Sequence, residues 1–256
     1  TKGWGEIGIS SLPHNPTTGK QYSGQNTVFL LFSGFESSAF AGYGQWQKAG
    51  CQVRAGERAT TVTRYVPYER IVENEQGEEE VKTYWNLLPL KVFNSTQVDG
   101  WEEPTVETIN PDQRDNGIEM FIEKTGAKIK EVAQDSAFYR PSTDTITMPA
   151  YDQFKSSYDY YSVACHELAH WTGHSTRLER DLSGVKSSSS YAKEELIAEL
   201  SSVYTCAHLG LQAQPKETNS QYIKGWLRSL NSDPKWVFQV AGDASKATQY
   251  LIDQSQ

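Results

Sequence analysis

The chain has 256 residues, with 24 basic and 32 acidic side chains and a formal net charge of −8. A hydrophobic share of 37%, with seven Trp and fourteen Tyr, is enough to build a core and excludes disorder over the whole length. No apolar run approaches the roughly 20 residues that a bilayer span requires, which excludes a membrane protein. The three cysteines are too far apart for a disulfide framework, which favours a reducing compartment, the cytoplasm.

Charge is unevenly distributed along the chain. Residues 1–70 hold seven basic and four acidic side chains, whereas residues 71–110 hold two basic and nine acidic ones. Because an acidic protein repels nucleic acid overall, nucleic-acid binding would have to be local, and the positive N-terminal segment is the place to expect it.

The first hundred residues predict a small α+β domain. Turn residues at 17–21 are followed by a short helix carrying Val28, Leu30 and Leu31, which Asn26 is expected to cap. Alternating residues predict strands at 61–66 and 91–93, and the acidic segment 73–80 between them predicts a solvated hairpin tip with a turn at Gly77. Residues 102–111 contain two prolines and predict a linker, so the predicted domains are 1–105 and 106–256.

The second half predicts helices and short strands. Ile118, Phe121 and Ile122 recur at helical spacing up to Gly126. Short strands are expected at 128–132 and 145–148, and helices at 158–172, at 191–209 and in a tail around residues 226–230. The expected class is α+β throughout.

The predicted helix at 158–172 contains the pattern His-Glu-x-x-His at His166, Glu167 and His170. Residues four apart lie on the same face of a helix, so both imidazoles can bind one metal ion. Glu167 projects about 100° away, beside the ion, where it can accept a proton from water and later return one to a leaving amine. Ser156 and Asp159 resemble a capping box ahead of this helix, and Gly173 stands where it should end.

A hydrolytic zinc site needs a third protein ligand, and the next helix offers Glu194, Glu195 and Glu199. Glu195 and Glu199 lie together on the edge of its apolar face, whereas Glu194 points toward water. We therefore expect Glu195 to be the third ligand and Glu199 to hold a ligand histidine from behind. Two alternatives are an exchange of roles between Glu195 and Glu199, and a solvated helix that pairs with Lys193.

Other candidate residues are less favoured. His174 follows Gly173 two positions too early for the third histidine of HExxHxxGxxH enzymes, so a role behind the ligands or facing substrate is expected instead. His14 and His208 have no partner at ligand spacing. Nothing beside Cys165 would lower its pKa as a nucleophile requires.

Several spaced segments together resemble the ArdC antirestriction family. Its metallopeptidase domain, also found in polyvalent proteins of phages and plasmids, is similar to residues 138–149, 160–174, 177–180 and 194–199. Its single-stranded-DNA-binding domain is similar to residues 15–26, 46–57, 93–94 and 97–100. The resemblance covers nearly the whole chain.

The resemblance implies a zincin-like fold in the second half, of the gluzincin type. Its implied ligands are His166, His170 and Glu195, with Glu167 as catalytic base. The implied cofactor is one divalent ion, zinc or alternatively manganese. The strand at 145–148 is similar to the zincin strand that pairs with an extended substrate. The implied role is protection of incoming plasmid DNA from host restriction.

The resemblance implies single-stranded DNA as the partner of the N-terminal domain, whose cationic and aromatic side chains are of the kinds that single-strand binders combine. Restriction enzymes and DNA-bound proteins are the candidate peptide substrates. The candidate DNA-binding side chains are Lys20, Tyr22, Tyr43, Trp46, Lys48, Arg54, Arg58 and Arg64.

These features favour a metal-dependent peptidase tethered to single-stranded DNA. The second hypothesis is a DNA-binding shield whose metal site is structural. A third, an inhibitor that mimics DNA with acidic surface, is disfavoured because the acidic cluster 73–80 is short.

Overall fold

The computed structural model describes residues 12–31, 33–35, 37–74, 78–102, 114–184, 189–211 and 234–256. The chain divides into two compact units: one contains residues 13–21 and 29–103, and the other residues 1–12, 22–28 and 104–256. The predicted 105/106 boundary, nearly all of the predicted linker and the expected helix around 226–230 lie outside the described residues. Both units mix helix and strand, which confirms the α+β class.

The N-terminal unit is built from short strands around one long hairpin. In chain order the elements up to residue 99 are β1 (His14–Asn15), β2 (Lys20–Gln21), α1 (Gln25–Leu31), β3 (Phe40–Ala41), α2 (Tyr43–Lys48), β4 (Gln52–Val53), β5 (Thr60–Glu73), β6 (Glu79–Asn94) and β7 (Val98–Asp99). Residues 25–28 of α1 belong to the other unit. The predicted turn joins β1 to β2. Helix α1 begins at Gln25, so Asn26 lies inside it and is not its cap.

Strands β5 and β6 form an antiparallel hairpin of fourteen residue pairs, from Thr60–Val92 to Glu73–Glu79. The predicted strands 61–66 and 91–93 are confirmed but are much longer than expected. Proline usually indicates the end of a strand, yet Pro67 and Pro89 lie inside β5 and β6. A two-stranded ribbon tolerates proline where no third strand requires the backbone N–H that proline lacks. The acidic side chains described near the tip are exposed, as predicted.

The core of this unit surrounds Trp46, whose side chain is fully buried among Ala41, Val53 and Val98. Its indole Nε1 donates a hydrogen bond to the carbonyl of Phe93 at 3.0 Å. A buried tryptophan with its polar atom satisfied stabilises β3, β4 and β7 around helix α2.

The second unit packs helices on a three-stranded sheet. Its elements are α3 (Asn116–Lys124), β8 (Lys128–Val132), β9 (Phe138–Arg140), β10 (Thr145–Pro149), α4 (Ser157–Thr172), α5 (Ser189–His208) and α6 (Pro234–Gln254). The strand order is β8-β10-β9, with β10 parallel to β8 and antiparallel to β9. Helix α4 packs against the sheet and α5, and α6 packs against both α5 and α4.

Local signals explain where helices α3 and α4 begin. Asp115 accepts a hydrogen bond from the Ile118 N–H at the start of α3, and Ser156 accepts one from the Asp159 N–H at the start of α4. Both are N-cap interactions that satisfy free backbone donors. Across the described ranges, none of the helices is long and apolar enough to cross a membrane.

Candidate metal centre

Helix α4 holds His166 and His170 one turn apart with their ring Nε2 atoms 3.1 Å from each other. The two rings are nearly perpendicular, at 83°. Burial, with a smaller contribution from His170, lowers the pKa of His166 to about 3, so its ring is neutral and its lone pair is available. Two imidazole nitrogens converging on one point are the donor atoms that a divalent transition metal prefers.

Helix α5 adds the third donor. Glu195 places one carboxylate oxygen 3.7 Å from His166 Nε2 and the other 3.5 Å from His170 Nε2. All three ligand atoms lie within 4.8 Å of one another. Tetrahedral ligands at zinc-like bond lengths of about 2.0–2.1 Å stand roughly 3.3 Å apart, so this donor set fits one ion. The structure therefore brings together the three predicted ligands.

The residue behind His170 is Glu194, which corrects the prediction. Glu194 is buried, not solvated, and its Oε1 lies 3.1 Å from His170 Nδ1. Arg180 donates two hydrogen bonds to this carboxylate, each 2.9 Å long. Burial opposes ionisation of Glu194, but the bonds from Arg180 and His170 outweigh it and hold its pKa below the ordinary value. An anionic Glu194 fixes the ring orientation that directs His170 Nε2 toward His166 and Glu195.

The carboxylate that holds His170 from behind is Glu194 and not Glu199. The prediction missed this because α5 is covered on two sides. Ser202 bonds to a carbonyl of α4, while Ser201 bonds to a carbonyl of α6. Because buried residues occur nearly all round the helix, the angular distance of a carboxylate from the centre of one apolar face does not predict whether it is buried. Glu199 is half-buried, and its charge contributes to the raised pKa of Tyr158, which is due mainly to burial.

Arg180 is the functional residue that sequence reasoning missed. It reaches Glu194 because the loop after α4 folds back on the helix end, where the Arg180 N–H bonds to the Gly173 carbonyl at 2.9 Å. A side chain at Gly173 would stand 3.0 Å from the Arg180 guanidinium and 2.9 Å from Leu182. Glycine at this position therefore permits the close approach. Arg180 lies in a segment that carried the family resemblance, which was the one available signal.

Glu167 lies on the same helix beside the ligands and is only 7% exposed. Burial raises the pKa of its carboxyl group, against the charge of His170 and a hydrogen bond from the backbone N–H of Tyr139. A carboxylate whose pKa is raised toward neutrality is better suited to accept and return a proton than an exposed one.

The ligands open into a cleft of about 550 Å³. Strand β9 borders it, not β10: Phe138 and Tyr139 line the cleft, whereas β10 is the middle strand, paired on both edges. The expectation that 145–148 pairs with substrate is therefore wrong, because its backbone groups are already used. Strand β9 was too short to be predicted. The cleft lining comprises Ser136, Ala137, Phe138, Tyr139, Pro141, His166, Glu167, His170, Asp181, Leu182, Gly184, Tyr191, Glu194 and Glu195.

His174 is not brought to the ligand atoms. It lies beyond the end of α4, with its Nδ1 2.8 Å from the Thr176 hydroxyl.

Nearby, Arg177 forms an ion pair with Asp144 and packs over the Trp171 ring at 3.9 Å. The hydrogen bonds from Arg177, against partial burial, lower the pKa of Asp144. Cys165 is fully buried, and Cys206 and burial raise its thiol pKa, as expected for a cysteine that is not a nucleophile.

The candidate DNA-binding residues are divided by burial. Trp46 is wrong as a base platform because its ring is fully enclosed. Arg54 is paired with Glu57 and Asp99, which neutralise it. Tyr22 is half-buried. The remaining candidates, which are exposed, are Lys20, Tyr43, Lys48, Arg58 and Arg64.

Comparisons with known proteins match both halves of the chain. Residues 116–243 match the family described as zincin-like metallopeptidase, and residues 1–95 match the N-terminal domain of anti-restriction factor ArdC. A crystal structure of metal-free antirestriction protein ArdC from plasmid R388 is 35% identical, with a TM-score of 0.80, covering 100% of this chain and 92% of that one. Its Mn(II)-bound structure is 33% identical, with a TM-score of 0.74 and the same coverage.

Curated relatives match over most of this chain. An uncharacterised protein, y4eC, of Sinorhizobium fredii (strain NBRC 101917 / NGR234) is 34% identical over 94% of this chain and 81% of its own length. Two proteins named DNA primase TraC from Escherichia coli are 39% and 36% identical over 94% and 95% of this chain. The chain spans only 18% and 24% of their lengths.

Proposed function

Because this chain belongs to the ArdC antirestriction family and carries a zincin-like metallopeptidase domain, we propose that it is a metal-dependent peptidase that binds single-stranded DNA and protects incoming plasmid DNA from restriction. The observation that carries the peptidase part is the convergence of His166, His170 and Glu195, with Glu167 beside them in an open cleft.

The protein's own residues supply most of the proposed chemistry. A divalent ion, zinc or manganese, would be held by the three ligands and would supply Lewis acidity toward a peptide carbonyl. Glu167 takes the proton from the attacking water and returns it to the leaving amine. Glu194, fixed by Arg180, keeps His170 correctly oriented throughout.

Strand β9 gives the cleft a means of holding an extended substrate. Among the described residues, β9 pairs with β10 on one side only, so its other edge can form backbone hydrogen bonds with a peptide. Tyr139 links this strand to the ion pair of Asp144 and Arg177, which keeps the strand in position. DNA-bound proteins are the proposed substrates, because the DNA-binding unit would bring the cleft close to them.

The test is the Glu167→Gln variant, which retains the shape of the side chain but cannot accept a proton. It should bind as much metal as wild type and lose cleavage of a protein substrate, such as casein or a DNA-bound protein, by at least about 100-fold. The same variant should be tested for protection of plasmid DNA transferred into a restricting host. Protection equal to wild type would make proteolysis irrelevant and favour the alternative, a DNA-binding shield with a structural metal site.

A further inference from the structure

The β5–β6 hairpin has two chemically opposite faces, because side chains alternate along each strand and paired residues share a face. The tyrosine face carries the charged and aromatic residues Arg64, Tyr68, Arg70, Glu80, Lys82 and Tyr84. The tryptophan face carries Tyr65, Glu69, Glu73, Glu79, Trp85 and Lys91. The first face thus has three cations and one carboxylate, and the second has one cation and three carboxylates.

We propose that the tyrosine face is where single-stranded DNA binds, with bases stacking at Tyr84 and phosphates paired with Arg64 and Arg70. This rests on the proposed function only in taking single-stranded DNA as the ligand. Charge complementarity selects the face, because a polyanion is attracted to a net cationic surface and repelled by a net acidic one.

The aromatic pair supplies a built stacking platform. Tyr68 and Tyr84 face each other across the two strands, with ring centroids 5.7 Å apart and planes inclined by 28°. The Arg70 guanidinium lies over the Tyr68 ring, 5.5 Å from its centroid. Tyr84 is 39% exposed and so offers ring surface to a base, while Tyr68 is stacked against it.

The cations beside the platform are available to phosphates. Among the residues that the structure describes, neither Arg64 nor Arg70 has a carboxylate within ion-pair distance, and Lys82 shares only an exposed pair with Glu80. Arg64 and Arg70 lie on the same strand six residues apart, about 20 Å, with Tyr68 between them. That length accommodates a few nucleotides, the lower end of the site size of single-strand binders.

The tryptophan face offers more exposed aromatic surface but the wrong charge. Trp85 is 62% exposed and Tyr65 56%. Glu69 lies one pair away from Trp85 on the same face, and the only cation there, Lys91, donates a hydrogen bond to Thr61 at 2.6 Å. If exposure alone decided where bases stack, Trp85 would be the stronger platform. Substitutions at the adjacent residues Tyr84 and Trp85 therefore distinguish selection by charge from selection by exposure.

The experiment measures binding of the full chain to a fluorescein-labelled oligothymidylate by anisotropy at several salt concentrations. Tyr84→Ala should weaken binding between about 5-fold and 100-fold, the range for one lost base stack, whereas Tyr84→Phe keeps the ring and should bind like wild type. Trp85→Ala, the matched control, should remain within about twofold of wild type. Unchanged melting temperatures would show that each variant is folded.

Salt dependence tests the phosphate contacts separately. Arg64→Ala with Arg70→Ala should reduce the slope of log affinity against log salt by about 1.4, or about 0.7 for each lost contact. Lys91→Ala, from the opposite face, should leave the slope unchanged.

Three outcomes are distinguishable. Loss of binding in the tyrosine-face variants alone supports the proposal. If wild type binds the oligonucleotide and Tyr84→Ala binds equally well, or Trp85→Ala binds as weakly as Tyr84→Ala, the assignment of this face is overturned while DNA binding stands, and the face is left to a protein partner. If wild type does not bind the oligonucleotide, the DNA-binding part of the proposed function is refuted, and the assignment of the tyrosine face is refuted with it.

Discussion

Replacing Arg180 by Met tests whether the carboxylate behind His170 depends on a buried cation. The guanidinium donates two hydrogen bonds to Glu194, one to the Thr172 hydroxyl and one to the Ala169 carbonyl. The side chains of Arg180 and Glu194 are only 10% and 8% exposed, so water cannot replace the lost partner. Removing one member of a buried ion pair costs about 3–5 kcal/mol. At about 2–4 °C per kcal/mol, the metal-free protein should melt about 6–20 °C lower.

The assay is thermal unfolding followed by circular dichroism in the presence of a chelator, so that metal binding does not contribute. A second variant, Arg180→Met combined with Glu194→Gln, removes the uncompensated charge and should melt higher than Arg180→Met alone. The reasoning is refuted if Arg180→Met costs less than about 1 kcal/mol, or if the double variant is no more stable than the single one.

Three further predictions follow from the contacts. Glu194→Ala should weaken metal binding about 10–100-fold in a chelator competition. Because Arg177 lowers the pKa of Asp144, the pair stabilises the protein at neutral pH, and this contribution is lost as the pH falls through the lowered pKa. The Asp144→Asn variant should therefore be less stable at pH 7, and its free energy of unfolding should depend less on pH in the acid range. Trp46→Ala should destabilise the N-terminal unit by about 3–5 kcal/mol in urea unfolding, as expected for a core residue.

The convergence of the two histidines could be predicted because it depends on local periodicity. His166 and His170 are fixed by the geometry of one helix, whereas the expectation of Glu195 rests on the edge of the apolar face of α5 and on the family resemblance. The carboxylate behind His170 could not be predicted in the same way. Its identity depends on how α4 and α6 enclose α5 and on a loop that brings Arg180 back to the helix end, and neither is encoded in a repeating pattern.

Other failures have the same cause. Strand β9 has three residues, too few to show alternation, and it forms because β10 offers it a free edge. Trp46 stands two residues before Lys48 in a locally basic segment, which is the composition of a base platform. Only the packing of β3, β4 and β7 decides that its ring belongs to the core.

The most direct test of the proposed metal centre is the metal content of purified protein after loading with zinc or manganese and removal of excess ion. Wild type and His174→Ala should each retain one ion per chain, while His166→Ala and Glu195→Ala should retain almost none. Full occupancy in Glu195→Ala, or loss of the ion in His174→Ala, would contradict the assignment of His166, His170 and Glu195 as the ligands.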